Sequence, residues 1–197
     1  DEGVLNVRRG MGLVTEALNK QTLETLPGCH AIGHVRYTTA GASIITNAQP
    51  LRFRYTGGQV AIAHNGNLVN AQKLRGDLER RGSIFQTDSD TEVISHLMAQ
   101  SGLSVEKALQ TALVAIEGAY ALVLLTPEKL IVAQDPRGFR PLCLGQIGQN
   151  CWVVASESCA FNVIDAEFVR DLHPGEMLII DEQGPHSTRF APELPRT

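Results

Sequence analysis

The chain has 197 residues, 43% of them hydrophobic and 19% charged, with a formal net charge of −4. That is enough for one domain with a substantial core. The mild negative charge, with no basic run or aromatic–basic stripe, argues against a nucleic-acid partner. The longest apolar runs, such as 119–126, are far too short to span a bilayer as a helix, and no signal-peptide pattern is present.

The chain opens Asp1-Glu2-Gly3 and runs into a strand-like stretch at 4–8. This looks like a hairpin turn whose first strand lies upstream, so a preceding segment is expected. Residues 10–12 read as a turn, 13–19 as a short helix and 21–28 as a loop. Residues 29–37 read as strand and turn, with Ile32, His34 and Arg36 on one face. A His and an Arg together on one strand face are unusual for a core. The planar guanidinium of Arg36, beside the hydroxyls of Thr38 and Thr39, suits a carboxylate, although a surface ion pair remains open. Residues 40–55 read as a loop with Arg52 and Arg54 solvated, and 56–58 as a turn.

Residues 59–63 are short, apolar and β-capable. They run into His64-Asn65-Gly66-Asn67, which reads as a turn, and an amphipathic helix is expected over 68–81. Asn65 offers a side-chain amide, and Gly66 allows close approach to its backbone N–H. Together these are one recipe for an oxyanion hole, while Asn-Gly is equally the commonest hairpin turn. Ser89-Asp90-Thr91-Glu92 predicts a capping box with Asp90 in the first turn of a helix. Its carboxylate suits either the helix dipole or a ligand ammonium. A second helix is expected over 104–116, then strands at 119–126 and 129–134, a β-turn at Asp135-Pro136-Arg137-Gly138, and strands at 140–145 and 151–156. A short helix at 157–164 and strands at 167–170, 176–181 and 187–190 complete the pattern, with 191–197 as a linker. Strands, two consecutive helices, then antiparallel strands make an α+β chain.

Cys29, Cys143, Cys151 and Cys159 have no C-x-x-C spacing. They read as buried free thiols of a reducing cytoplasm, and a zinc site is not expected. A metal hydrolase built on His34 and His64 lacks a carboxylate ligand.

Three motifs stand in order: Gly33-His34-Val35-Arg36-Tyr37-Thr38-Thr39, His64-Asn65-Gly66-Asn67-Leu68 and Ser89-Asp90-Thr91-Glu92. With Asp135-Pro136-Arg137-Gly138-Phe139-Arg140-Pro141-Leu142, Val154-Ala155-Ser156-Glu157-Ser158-Cys159 and Pro174-Gly175-Glu176-Met177, they resemble the class II glutamine amidotransferase domain, an N-terminal-nucleophile hydrolase. Within that class the likeness is closest to the amidophosphoribosyltransferase family. The resemblance implies a four-layer αββα sandwich over 1–190. It implies that Arg36 binds the α-carboxylate of L-glutamine, with Thr39 assisting, and that Asp90 binds the α-ammonium. Asn65 and Gly66 would form the oxyanion hole. It also implies a phosphoribosyltransferase domain on the same polypeptide, with magnesium in that domain and no cofactor in this segment, and a homo-oligomer when full length.

The family nucleophile is an N-terminal cysteine, whereas residue 1 here is Asp. The opening segment, with an Arg-Gly element near the site, is therefore expected to be missing, and the chain as given to be inactive. Other class II branches and a non-catalytic glutamine-binding domain are the alternatives.

Overall fold

A computed structural model describes residues 3–36 and 44–195. The elements are α1 (Val14–Ala17), α2 (Lys20–Glu24), β1 (Leu51–Tyr55), β2 (Gly58–Leu68), α3 (Ala71–Arg80), α4 (Thr91–Ser101), α5 (Val105–Ala115), β3 (Gly118–Leu125), β4 (Leu130–Gln134), β5 (Cys143–Ile147), β6 (Cys151–Ala155), α6 (Cys159–Val163), β7 (Glu167–Asp171), β8 (Glu176–Asp181) and β9 (Gly184–Arg189). Six strands form one antiparallel sheet in the order β1-β2-β3-β4-β8-β9, and three form a second in the order β6-β5-β7.

Alternation along the strands builds the layers. Ile62, Tyr120, Leu122, Leu124, Ile131 and Met177 face α4 and α5, meeting Ile94, Met98, Leu109 and Leu113. The helical partners recur at i and i+4, the spacing of one helix face. Ala121, Val132, Leu178 and Ile180 face the other way, onto Leu144, Trp152 and Val154 of the small sheet. On that sheet's outer side, α6 lays Phe161 against Gly145 and Phe168. The order helices, sheet, sheet, helix is an α+β, αββα sandwich with a five-residue helix as its fourth layer. β3 has apolar residues on both faces because both are covered.

The paired helices and β3–β9 lie close to their expected places. Elsewhere the structure corrects the sequence reading. β2 does not end before His64: it continues to Leu68, and Asn65 and Gly66 pair with Ala121 and Tyr120. The next helix therefore starts at Ala71, not Leu68. Residues 51–55 form a strand on β2 rather than a loop. Residues 20–24 are helical because the Asn19 side chain caps them, accepting from the Thr22 N–H at 2.9 Å. Residues 5–7 and 29–36 adopt no regular strand. The strand expected from 140 begins at Cys143. Past β9, Phe190 and Ala191 pack on the main core, and the Leu194 N–H donates to the Pro136 carbonyl. No helix among the described residues is long and apolar enough to cross a membrane.

Candidate active site

β1 stops pairing with β2 at Leu51–Ile62, whereas β3 pairs with β2 as far as Leu68. Beyond Ile62 one backbone edge of β2 is therefore open. In an antiparallel strand, alternate residues aim their N–H and C=O at the same edge. His64 aims both at the open one: its N–H donates to Gln49 Oε1 at 2.6 Å, and its carbonyl accepts from His34 Nε2 at 3.1 Å. Leu68 aims its N–H there too, donating to Asp90 Oδ2 at 2.9 Å. Gly66 lies midway and shares this parity. Its cross-strand partner Tyr120 turns its own N–H and C=O to Asp135, so the Gly66 N–H is left for the cleft.

The cleft has a volume of about 1160 Å³ and is lined by Arg36, Asn65, Gly66 and Asp90 among others. Of the five residues expected at the site, these four come together here. Thr39, with Tyr37 and Thr38, lies outside the described residues. Asn65 is exposed on β2, on the opposite sheet face from His64. Its place is a strand, not the expected turn. Further charge on the walls comes from Asp88 and Glu157, and from Arg75 and Arg140. Arg75 serves the wall itself. Its guanidinium lies 3.9 Å from the Phe85 ring centroid and donates to the Thr87 and Ser89 carbonyls, fixing the loop before Asp90.

The capping box predicted at Ser89–Glu92 does not form. Asp90 is the N-cap of α4, but its side chain makes no cap bond. Glu92 reaches back instead to the N–H groups of Gln86 and Thr87, at 2.9 and 2.7 Å. That leaves the Asp90 carboxylate for the cleft edge, with His64 Nδ1 3.5 Å from Oδ1. Burial alone would raise the Asp90 carboxyl above its ordinary value. His64 and the N–H groups of Leu68 and Thr91 outweigh burial and hold it below that value. Asp90 is thus a fixed anion at neutral pH. Burial pushes the His34 imidazole down, against the raising effect of its bond to the His64 carbonyl.

Gln49 is the site residue the sequence reading passed over. Besides holding the His64 N–H, its amide donates to Thr91 Oγ1 at 3.3 Å, joining β2 to α4. Nearby, Asn47 Oδ1 accepts from the Asp88 N–H. Neither residue carries a periodic signal, and both sit in a stretch that reads as loop. Of the four cysteines, all of them described, Cys143 alone is buried; Cys29, Cys151 and Cys159 are exposed, against the burial expected of them, and none of the four lines the cleft. Among the described residues, no group of three His, Cys, Asp or Glu side chains is placed to hold a metal ion.

The arrangement offers a guanidinium, a carboxylate kept ionised, and an amide side chain beside an unclaimed backbone N–H. The first two match a zwitterion, and the second two match a developing oxyanion.

The chain is 48% identical over 195 residues to amidophosphoribosyltransferase of Bacillus subtilis, covering 98% of this chain and 41% of that protein. It is 48% identical over 182 residues to chloroplastic amidophosphoribosyltransferase 2 of Arabidopsis thaliana, covering 92% of this chain and 32% of that one. The solved structure of glutamine phosphoribosylpyrophosphate amidotransferase from B. subtilis, complexed with ADP and GMP, superposes with a TM-score of 0.88 at 47% identity, over 94% of this chain and 40% of the other. The chain thus spans between about a third and two fifths of the length of these relatives. The model of the glutamine amidotransferase domain matches residues 34–163, which hold Arg36, Asn65, Gly66 and Asp90, and the chain belongs to that family.

Proposed function

We propose that this chain is the glutamine-hydrolysing part of an amidophosphoribosyltransferase of purine biosynthesis. L-Glutamine lies along the open edge of β2. Arg36 holds its α-carboxylate, a role in which Thr39 assists, and Asp90 holds its α-ammonium. The side-chain carbonyl then points to the Asn65 amide and the Gly66 N–H. A cysteine thiol, the family nucleophile, attacks that carbonyl carbon, its proton passes to the amide nitrogen, and the oxyanion collapses with loss of ammonia. Water cleaves the thioester to give glutamate. The ammonia passes to phosphoribosyl pyrophosphate on a transferase domain of the same polypeptide, where magnesium belongs, and displaces pyrophosphate to form phosphoribosylamine. The whole protein is a cytoplasmic homo-oligomer in this reading. The observation that carries the proposal is the Gly66 N–H, presented on an open strand edge between two positions whose backbone groups side chains have already claimed.

Calorimetric titration of the chain with L-glutamine tests the reading. Binding is expected, with Arg36→Ala and Asp90→Ala each weakening it by at least tenfold, as for loss of a charge-assisted contact of about 1.5–3 kcal/mol. Ammonia release by the 197-residue chain is expected to be undetectable, because none of its cysteines lines the cleft. Equal affinity in both variants would remove the assignment.

A further inference from the structure

His64 is buried at 4% exposure, one residue before Asn65, and the chemistry proposed above does not use its ring. Its backbone N–H and carbonyl are both held at the open edge, by Gln49 and His34, which fixes the strand from which the ring projects. Nδ1 lies 3.2 Å from Thr91 Oγ1 and 3.5 Å from Asp90 Oδ1, while Nε2 is buried with no partner among the described residues. The surroundings choose the tautomer. A bare Nδ1 lone pair would face a carboxylate and be repelled, and the proton on Nε2 would then be an orphaned donor. A proton on Nδ1 instead meets two oxygens and leaves only a lone pair unmatched. The Thr91 hydroxyl is itself approached by the Gln49 amide, which turns its lone pairs toward donors.

We propose that His64 is a positioning residue: its Nδ1–H, steadied by Thr91, ties the oxyanion strand to Asp90 and presets that carboxylate for the ammonium of an amino-acid substrate. This rests on the glutamine reading for the identity of the ligand, but not for the geometry. The Leu68 N–H holds one oxygen of Asp90 and His64 faces the other, so both ends of the carboxylate are oriented from β2. A substrate ammonium then meets an anion already turned and charged, on the strand that also supplies the oxyanion donors. His64 touches neither substrate nor reacting atoms in this scheme and acts only through Asp90.

Four measurements on the 197-residue chain test this. The first needs no substitution: nitrogen NMR of His64 is expected to show a proton on Nδ1 and none on Nε2, and the reverse would overturn the proposal. The second follows the Asp90 carboxyl by carbon NMR against pH. His64→Asn keeps a donor near the Nδ1 position and is expected to leave the Asp90 midpoint in place. His64→Leu fills the space without a donor and is expected to raise the midpoint by about one unit. No movement in His64→Leu overturns the proposal.

The third and fourth compare L-glutamine with glutaramate, which lacks the α-ammonium. His64→Leu is expected to weaken L-glutamine by about tenfold and to leave glutaramate unchanged, with His64→Asn close to the parent for both. Equal losses for the two ligands would mean a merely structural role and would overturn the proposal. If the parent binds neither ligand while the two NMR results hold, the positioning role stands and the glutamine reading falls.

Discussion

A methyl group at Gly66 would stand 2.0 Å from the carbonyl oxygen of Ala119 and 2.8 Å from the Tyr120 Cα. The residue also has φ of +152°, where a side chain is strained even with space around it. Gly118, opposite Leu68, is in the same position: a methyl group there would stand 2.2 Å from the Asn67 carbonyl oxygen. Backbone crowds both glycines, and backbone yields less readily than a side chain. Gly66→Ala is therefore expected to cost more than about 4 kcal/mol, measured as a fall in denaturant midpoint or as failure to fold. A cost below about 1 kcal/mol would show that the strands separate easily. Asn65-Gly66 was legible in the sequence as a place of importance, but as a turn. Asn-Gly looks the same locally in a hairpin and in a crowded strand. The deciding contact comes from residues more than fifty positions away, which no local pattern records. Arg36 and Asp90 were legible as one cation and one anion, whereas the release of Asp90 from helix capping was not. It depends on Glu92 turning to Gln86 and Thr87.

Among the elements, the loop before β1 governs the site more than its irregular shape suggests. Gln49 caps the His64 N–H where β1 no longer reaches, and it also holds Thr91. Gln49→Leu keeps the volume similar but leaves a buried N–H without an acceptor. It is expected to cost about 1–3 kcal/mol by thermal denaturation and to weaken L-glutamine binding in parallel. Unchanged stability would mean that another group takes over the His64 N–H. The turn after β4 is tied down in a similar way: the buried Asp135 carboxylate accepts from the N–H groups of Tyr120, Arg137, Phe139 and Arg140. That turn, α4, α5, β3 and β4 were all legible, because periodicity and turn chemistry specify them locally. β1 was not, since Arg52 and Arg54 alternate with Phe53 in a stretch dense with loop residues. Its strand character comes from pairing with β2.

For the whole molecule, one ion pair joins the two sheets. Arg170 of β7 meets Glu176 of β8 through both guanidinium nitrogens, with Nη1 to Oε2 at 2.9 Å, and Ser187 of β9 and the His173 N–H complete the shell. Glu176 is 3% exposed. Burial would raise its carboxyl, but the donors from Arg170, Ser187 and His173 prevail and hold it at about 2, against an ordinary 4.5. A carboxyl depressed in the folded state stabilises fully above its unfolded value, and that contribution is lost as pH falls through the folded one. Stability is therefore expected to fall between about pH 4.5 and 2, by on the order of 3 kcal/mol from this group. Glu176→Gln should flatten that limb in acid-unfolding curves, and an unaltered limb would assign it to other carboxylates. The open edge of β2 has a further consequence at this scale. A row of unclaimed N–H and C=O groups invites the strand of another molecule, and proteins blunt such edges with charge and bulky polar groups. Here His34, Gln49 and Asp90 occupy the edge, so the groups that build the cleft also guard against aggregation. Asp90→Ala is expected to scatter more light as concentration rises, even without ligand. Loss of binding and loss of solubility would then arrive together in variants of this cleft, and a screen that scores only soluble protein would discard the informative ones.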